Sequence, residues 1–578
     1  MRKRIKQAIV VCAAVLLSGG GAQAFQFTMS EEVKGSLDTT ATAGFGIRLR
    51  NPSPSLVGDP RFSPDANTDQ WSNGDDGNLN YGKGDAFTAY TKLTPELLLK
   101  FPAQFKFMAR GTFLYDFMAA ETKRTDLANS AKDQAVHDFR LLDLWLSKDF
   151  NIGDQSARVR IGNQVVSWGE SIFGLGGINQ TNSLDIQKLL IPGTQLKEAV
   201  IPAPIVSFAT GLGRGFNMEA YYQFAWNRNR LPPAGTYFSI GDIFDNGRSP
   251  FAFLSAANPN FGGPDAAVDP TLANSIPIPI LVDKEPKNSG QFGIALHYKP
   301  EGTAVDLGAY FMNYHDKFPV LDFQVAGNRW TFLPDRQLYG LSANFPVGNW
   351  AVGMEASYRP KDAVALTGCF GQGGPLDVIT NFAPVNCQGW VDEQKLQFHL
   401  TGILALTPGD HGWFLNLVGA DGGYITAEAV DIYYPSLKQR YNRTIDGQAV
   451  TQAPSAGYAF WKDPSTIASL GYPITGSAGT PNSLGYTLDF NIVYDGTIIP
   501  GWQVIPGTTF THSVAGDTPT FFANYLEGAM SVNCYLLFNM NPAKWQAGIN
   551  YANWFGGDQL RQPLGDREFF GGFVSYNF

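Results

Sequence analysis

Few residues in this chain have both the type and the spacing that chemistry requires. The richest cluster is Asp65-x-Asn67-x-Asp69, followed by Asn73, Asp75 and Asp76. Alternating carboxylate and amide oxygens of this kind are how a calcium loop gathers its ligands. Gln70 stands where the turn of such a loop needs glycine, and Asp76 where a longer Glu would chelate with both oxygens. The competing reading is a solvated acidic loop whose Asn and Asp residues make turns, and those two departures weigh towards it. His137, His297, His315, His399, His411 and His512 show no metal-ligand spacing. The chain has no G-x-S-x-G, H-E-x-x-H, Walker loop or C-x-x-C. Gly211-x-Gly213-x-Gly215 looks superficially like a nucleotide loop, but it joins two strand-like segments, where a turn accounts for it. A lipid hydrolase would need a Ser and a His on neighbouring strands, and His399 with nearby serines keeps that reading as a remote alternative. The expectation is no enzyme and no cofactor.

The elements that hold these residues follow from composition and periodicity. The 578 residues carry 42 Lys+Arg against 51 Asp+Glu, with 16% charged and 13% aromatic residues. Soluble domains average about 25% charged, so the chain is charge-poor and ring-rich. That much apolar surface excludes disorder, and an acidic balance without a basic run excludes nucleic acid as a partner. Arg2, Lys3, Arg4 and Lys6 precede a short apolar run from Ala8 to Leu17, and Ala22-Gln23-Ala24 has the small-x-small pattern of a cleavage site. Residues 1–24 therefore read as a secretory signal peptide, the run being too short for a retained anchor. No later stretch has the apolar length of a transmembrane helix. An exported chain without helical spans is either soluble in the periplasm or a barrel in the outer membrane.

Alternation decides between them. Leu37, Thr39, Ala41, Ala43, Phe45, Ile47 and Leu49 form one face of a strand, with Asp38, Thr40, Thr42, Arg48 and Arg50 on the other. Trp350, Val352, Met354, Ala356 and Tyr358 similarly oppose Glu355, Ser357 and Arg359. Apolar faces that end in Trp or Tyr suit strands crossing the interfacial girdle of a bilayer. Eighteen such strands can be placed, with sixteen as the alternative; one is expected over 412–430 and another over 521–539. Long connections (51–83, 119–137, 169–202, 229–288, 316–335, 360–391, 431–481) alternate with short turns, among them Pro102-Ala103 and Thr407 to His411. Short turns on one side and long loops on the other mark an outer-membrane barrel, and an even count puts both termini in the periplasm. The predicted fold is all-β: one transmembrane antiparallel barrel over 25–578 with long extracellular loops.

The C-terminus strengthens this reading. Phe570, Gly572, Val574, Tyr576 and Phe578 alternate up to a terminal aromatic, which resembles the signal read by the barrel-assembly machinery. Arg160-Ile161-Gly162-Asn163-Gln164-Val165-Val166-Ser167-Trp168-Gly169-Glu170-Ser171 resembles the most recognisable motif of the proteobacterial barrels numbered 1302 among the domains of unknown function. Pro192-Gly193-Thr194-Gln195-Leu196-Lys197-Glu198-Ala199 and Tyr221-Tyr222-Gln223-Phe224 fit the same family, and the resemblance runs from the signal peptide to Phe578. It implies an outer-membrane barrel in contact with membrane lipid. It also implies partners, a periplasmic lipocalin-like protein and an inner-membrane exporter of the resistance-nodulation-division type, and hence traffic in lipids or other hydrophobic compounds.

Two expectations concern the interior. Residues 169–202 are too apolar for a solvated loop, so the segment is predicted to fold into the lumen as a plug. Ile172, Phe173, Leu189, Leu190 and Ile191 would form its buried apolar face, with Asp185 to Leu190 reading as a helical turn. Arg160, Gln164, Trp168 and Glu170 share inward parity, and Glu170 paired with Arg160 or Lys197 would latch the plug. Two function classes remain: a transporter of hydrophobic compounds, which Pro250 to Leu254 and Ile276 to Val282 favour as greasy outer loops, or a water-filled, weakly selective porin. A porin constriction would draw on Arg48, Arg50, Arg110, Arg158 and Arg160, unless these pair with Asp38, Asp116 and Asp143. Cys369 and Cys387 share one long loop in an oxidising compartment, so a disulfide is expected, stabilising the loop by ~3 kcal/mol in the chain-entropy model. Cys534 alternates with Val532 and Leu536 and should face lipid.

Overall fold

The computed structural model describes residues 25–30, 32–57, 62–63, 76–248, 251–253, 276–278, 280–324, 326–367, 386–445, 447–457, 478–540, 544–558 and 560–578. The signal peptide, and Asp65, Asn67, Asp69 and Cys369, lie outside these residues.

Eighteen antiparallel strands form one closed sheet. The first five are β1 Val33–Arg48, β2 Ala86–Lys100, β3 Phe105–Asp116, β4 His137–Ile152 and β5 Gln155–Gln164. They continue as β6 Ala203–Gly213, β7 Phe216–Gln223, β8 Gln291–Tyr298, β9 Asp306–Tyr314, β10 Arg336–Val347 and β11 Trp350–Ala365. The last seven are β12 Trp390–Leu406, β13 Gly422–Tyr433, β14 Asn482–Asp495, β15 Trp502–Ala515, β16 Ala529–Met540, β17 Trp545–Gly556 and β18 Phe569–Asn577. Each strand pairs with its chain neighbour, and β18 returns to β1 from Thr40↔Asn577 to Arg48↔Phe569. The foot of β1 extends past β18, and there Phe25–Ser30 pairs with it instead.

The expected period of two is realised along the wall. On β11 and β12 the outward Met354, Phe398 and Leu400 are 47%, 43% and 50% exposed, whereas the inward Glu355, Gln397 and His399 are buried. An apolar outer band with a polar interior is the arrangement that lipid on one side and a lumen on the other select.

Two expected strands begin late: β13 starts at Gly422 rather than 412, and β16 at Ala529 rather than 521. The presumed tight turn Thr407 to His411 leads into a helix, α1 (Pro408–Val418). Thr407 caps it, its side chain accepting from the Asp410 amide, and Gly419 ends it in the left-handed region at φ 66°. Leu415 and Phe414 of α1 pack on Leu404, Leu406, Trp350, Ile425 and Phe490, all of outward parity. The helix therefore lies against the outer wall of the barrel, its carbonyl at Val418 accepting from Tyr494 Oη at 3.0 Å. Run-on apolarity through Trp413-Phe414-Leu415 hid this helix from a period-two reading.

Arginine at Leu400, mid-strand and half exposed on the outer face, should cost about 2–4 kcal/mol, as charges at the bilayer midplane of barrels do. Chemical unfolding of Leu400→Arg from phospholipid vesicles, compared with Leu400→Ala, measures it; equal stabilities would place this face away from lipid.

Candidate functional site

The inward polar residues of the strands meet the segment 169–202, which follows β5 and leads into β6. It contains two short helices, α2 (Ile186–Leu190) and α3 (Leu196–Ala199). Asp185 caps α2, accepting from the Lys188 amide at 3.0 Å, so the helical turn expected there is present.

The first half of the segment is held through its backbone. Glu355 on β11 accepts the amides of Glu170 (2.9 Å) and Ile178 (2.6 Å). Glu428 on β13 accepts those of Ile172 (3.2 Å), Phe173 and Gly174 (2.8 Å) through one oxygen. Its other oxygen lies 2.7 Å from His399 Nδ1. Gln397 donates to the Leu175 carbonyl and faces His399 Nε2, both at 2.9 Å, which assigns the ring proton to Nδ1, donating to Glu428. Arg359, paired with Asp362 at 3.0 Å, donates to the Gly176 carbonyl. Hydrogen bonds to charged groups contribute roughly 1.5–3 kcal/mol each, about twice a neutral bond.

The second half is held by ion pairs. Asp185 meets Arg140 of β4 at 3.1 Å, and Lys188 meets Asp138 at 2.6 Å. Burial, with Arg140 alongside, lowers the Lys188 ammonium to about 8 despite Asp138 and Asp185. Glu198 receives Lys92 at 2.5 Å and Thr94 at 2.7 Å from β2. Burial alone would raise the Glu198 carboxyl, but Lys92, Thr94 and the Gln195 amide overcome it and hold the group below its ordinary range. Tyr90 of β2 donates to the Pro192 carbonyl at 2.5 Å. The segment is thus bonded to β2 and β4 on one side, and to β11, β12 and β13 on the other.

Not every expected site residue sits as the sequence suggested. Trp168 points inward and is buried, donating from Nε1 to Glu219 at 2.8 Å beside Tyr221 and Tyr310. Gln164 is buried, its amide donating to the Ile205 carbonyl at 2.8 Å. The expected latch does not form. Glu170 accepts from Asn344 at 2.8 Å, Lys197 reaches Glu96 at 3.5 Å, and the Arg160 guanidinium lies 4.3 Å from the Trp145 ring centroid. Glu170 comes where the chain has already crossed towards β10, beyond the reach of either cation. Nor are Ile172, Phe173 and Leu189 buried; they are 40%, 38% and 44% exposed, while Leu190 and Ile191 pack against the cluster of Tyr81, Phe87 and Phe569.

Three of the five arginines proposed for a constriction are neutralised in place. Arg48 pairs with Asp566 at 3.2 Å, Arg110 with Glu96 and Asp143 at 2.7 and 2.9 Å, and Arg158 with Asp149 at 2.5 Å. Asp76, the one described residue of the suggested calcium set, is buried in a short helix with its amide 3.5 Å from Asp242. No cluster of three metal-ligating side chains occurs among the described residues. Cys387 is buried beside Trp330 and Phe521, and Cys534 is exposed on the outer face.

Above the segment lies a cavity of about 540 Å³. Phe173, Leu175, Ile186 and Leu190 line one side, and Phe238, Ile240, Phe244, Phe318, Phe521 and Phe522 from the outer loops line the other. Thr487, Thr509 and Thr511 of β14 and β15, with Glu428, supply its polar floor. Glu355, placed on the polar face but given no role, and Glu428 are the main site residues that sequence reasoning missed. The available signal was mid-strand acidic residues at inward parity on lipid-spanning strands, which require a partner in the lumen.

The pattern of one family matches residues 5–578, that described as Protein of unknown function (DUF1302). The chain belongs to this family. Among curated proteins none is significantly similar. Of solved structures, the DUF1302 chain is similar in fold to Acinetobacter baumannii OccAB3, with 8% identity, a TM-score of 0.42, and 94% of this chain and 99% of that one covered. It is also similar to A. baumannii OccAB1 (8%, TM-score 0.41, 97% and 99% covered) and to Pseudomonas aeruginosa OccK2 (OpdF), solved in complex with glucuronate (9%, TM-score 0.39, 94% and 98% covered). Likeness at this level says nothing of what this barrel carries.

Because the folded Glu198 carboxyl lies below its ordinary 4.5, its stabilising effect is complete above that value and is lost as pH falls through the folded one. Protection factors of the α3 amides, the intrinsic rate at each pH divided by the observed one, should fall on acidification in the natural chain. In Glu198→Gln they should be lower at neutral pH and flat across the same window; a flat profile in the natural chain would exclude the Lys92–Glu198 contact as a holding point.

Proposed function

We propose that this barrel is an outer-membrane channel for hydrophobic or lipid-like compounds, exported by cleavage after Ala24 and closed at rest by residues 169–202 acting as a plug. The observation that carries the reading is the apolar cavity between the plug and the outer loops. Aromatic walls of this kind hold a greasy molecule through area removed from water, at roughly 25 cal/mol per Å². A ligand there touches Phe173 and Leu190, so its arrival loads the segment that must move. Flow is passive or driven by an envelope partner, for which a periplasmic lipocalin-like protein and an inner-membrane exporter are the proposed pair. A second reading, a water-filled and weakly selective porin, has one observation in its favour: the inward faces of β14 to β17 are polar and only half buried.

Planar-bilayer conductance separates the two. The natural protein should be mostly closed, and deletion of 172–198 should convert it to a steady conducting pore. Glu355→Gln with Glu428→Gln, which keeps the chain intact, should raise open probability about tenfold, equivalent to roughly 1.4 kcal/mol. Native mass spectrometry should find phospholipid or detergent retained by the natural protein and lost in Leu190→Asp. Large, steady channels without retained lipid would establish the porin instead.

We also propose that Cys369 and Cys387 form a disulfide closing the loop after β11. Thiol counting on the unfolded mature protein should give one free thiol, Cys534; three would exclude the bridge.

A further inference from the structure

The two halves of the lumen are unlike. Around β2, β4, β11, β12 and β13 the inward side chains are spent on holding the segment 169–202. Lys92, Thr94, Glu355, Gln397 and Glu428, which hold it, are all at most 3% exposed, as is Ser147 on the same wall. On β14 to β17 the inward residues Thr487, Asn491, Thr509, Thr511, Asn533 and Asn550 are instead half-buried. Their hydrogen bonds run to one another and not to the segment. Thr487 meets Thr511 at 3.1 Å, Asn550 donates to Asn533 at 2.8 Å, and Thr509 and Tyr535 donate to Asp489 at 2.7 and 3.0 Å. Among the described residues no hydrogen bond joins 169–202 to the inward side chains of these four strands.

Charge is distributed just as unevenly. From Asn482 to Gly556 the chain contains no Arg and a single Lys, Lys544 in the turn between β16 and β17. Midway along this wall the fixed charge is Asp489, with no cation paired to it among the described residues. The upper end of the wall is the threonine floor of the apolar cavity, so cavity and wall are continuous.

We propose that cargo leaves the cavity along the inward face of β14 to β17, a lane of hydroxyl and amide side chains that passes neutral and cationic solutes and rejects anions. A molecule sliding there exchanges hydrogen bonds with water for equivalent ones with Thr and Asn, so an uncharged polar group is carried without being trapped. An anion meets Asp489 with no nearby cation to offset it, in a space whose dielectric is below that of bulk water. The substrate class is therefore an apolar body bearing neutral or cationic hydrogen-bonding groups. The apolar body of that class rests on the cavity reading above, whereas the lane and its charge preference rest on the channel reading alone.

Substituted-cysteine labelling of the full-length protein in outer membranes tests it, in a Cys534→Ser background. Thr511→Cys and Asn533→Cys lie on the lane, and Ser147→Cys on the filled wall is the comparison. The probes are a cationic and an anionic methanethiosulfonate of matched size, each rate divided by that reagent's rate with a free small thiol. Both lane cysteines should react, the cationic reagent at least tenfold faster, while Ser147→Cys reacts at least tenfold slower than either. Asp489→Asn should bring the two reagents to within about twofold of each other. Unreactive lane cysteines, a control as reactive as the lane, or charge-independent rates with Asp489 intact would each overturn the proposal. Lipid retention in the cavity does not enter this readout, so the lane and the cavity reading fail separately.

Discussion

A peptide group crossing lipid has no water to pair with, and each unpaired one costs several kcal/mol. That constraint organises the whole chain. It requires the sheet to close, and here closure is made by β18 on β1, with Phe25–Ser30 completing the foot of β1 where β18 stops short. Closure fixes which parity faces lipid, and parity in turn fixes which side chains face one another across the lumen. Eighteen strands enclose more space than their own side chains can fill. The interior is therefore either open or filled by something other than the wall, and the buried carboxylates of β11 and β13 find their partners in the backbone between Glu170 and Ile178.

Those carboxylates act on backbone rather than on side chains. Glu428 accepts from three successive amides and Glu355 from two, so the chain from Glu170 to Ile178 is gripped through its backbone. The other end, from Asp185 to Glu198, is held by Arg140, Asp138, Lys92 and Thr94. One attachment consists of amide donors on acceptors and the other mainly of ion pairs, so the two differ in what disturbs them. Salt acts on the second more than on the first, whereas acid reaches the carboxylates of both.

This difference also explains what the sequence could reveal. Period two is written into the side chains, so all eighteen strands were legible, and so was the helical turn after Asp185. The late start of β13 was not, because Trp413-Phe414-Leu415 is apolar without a period and packs outside a wall that is itself apolar. The expected Glu170 latch failed for a different reason. Parity tells which residues point inward, but not which of them the segment reaches once it crosses the barrel, and the donors that do bind are amides, which every residue has. Arg48, Arg110 and Arg158 read as a charged constriction until their partners Asp566, Asp143 and Asp149 are placed beside them.

Helix α1 has a consequence for how these barrels sit among others. It covers the periplasmic end of β11 to β14 on the outer wall, with Trp413 and Leu417, 76% and 77% exposed, turned away from the barrel. A neighbouring cylinder cannot approach flush on that sector, because the helix stands between the two walls at one rim only. Contact there would be wedge-shaped, tilting the neighbour away. Flat side-by-side association is thus confined to the rest of the circumference, and in a crowded membrane the molecule has one sector facing lipid and the remainder open to company.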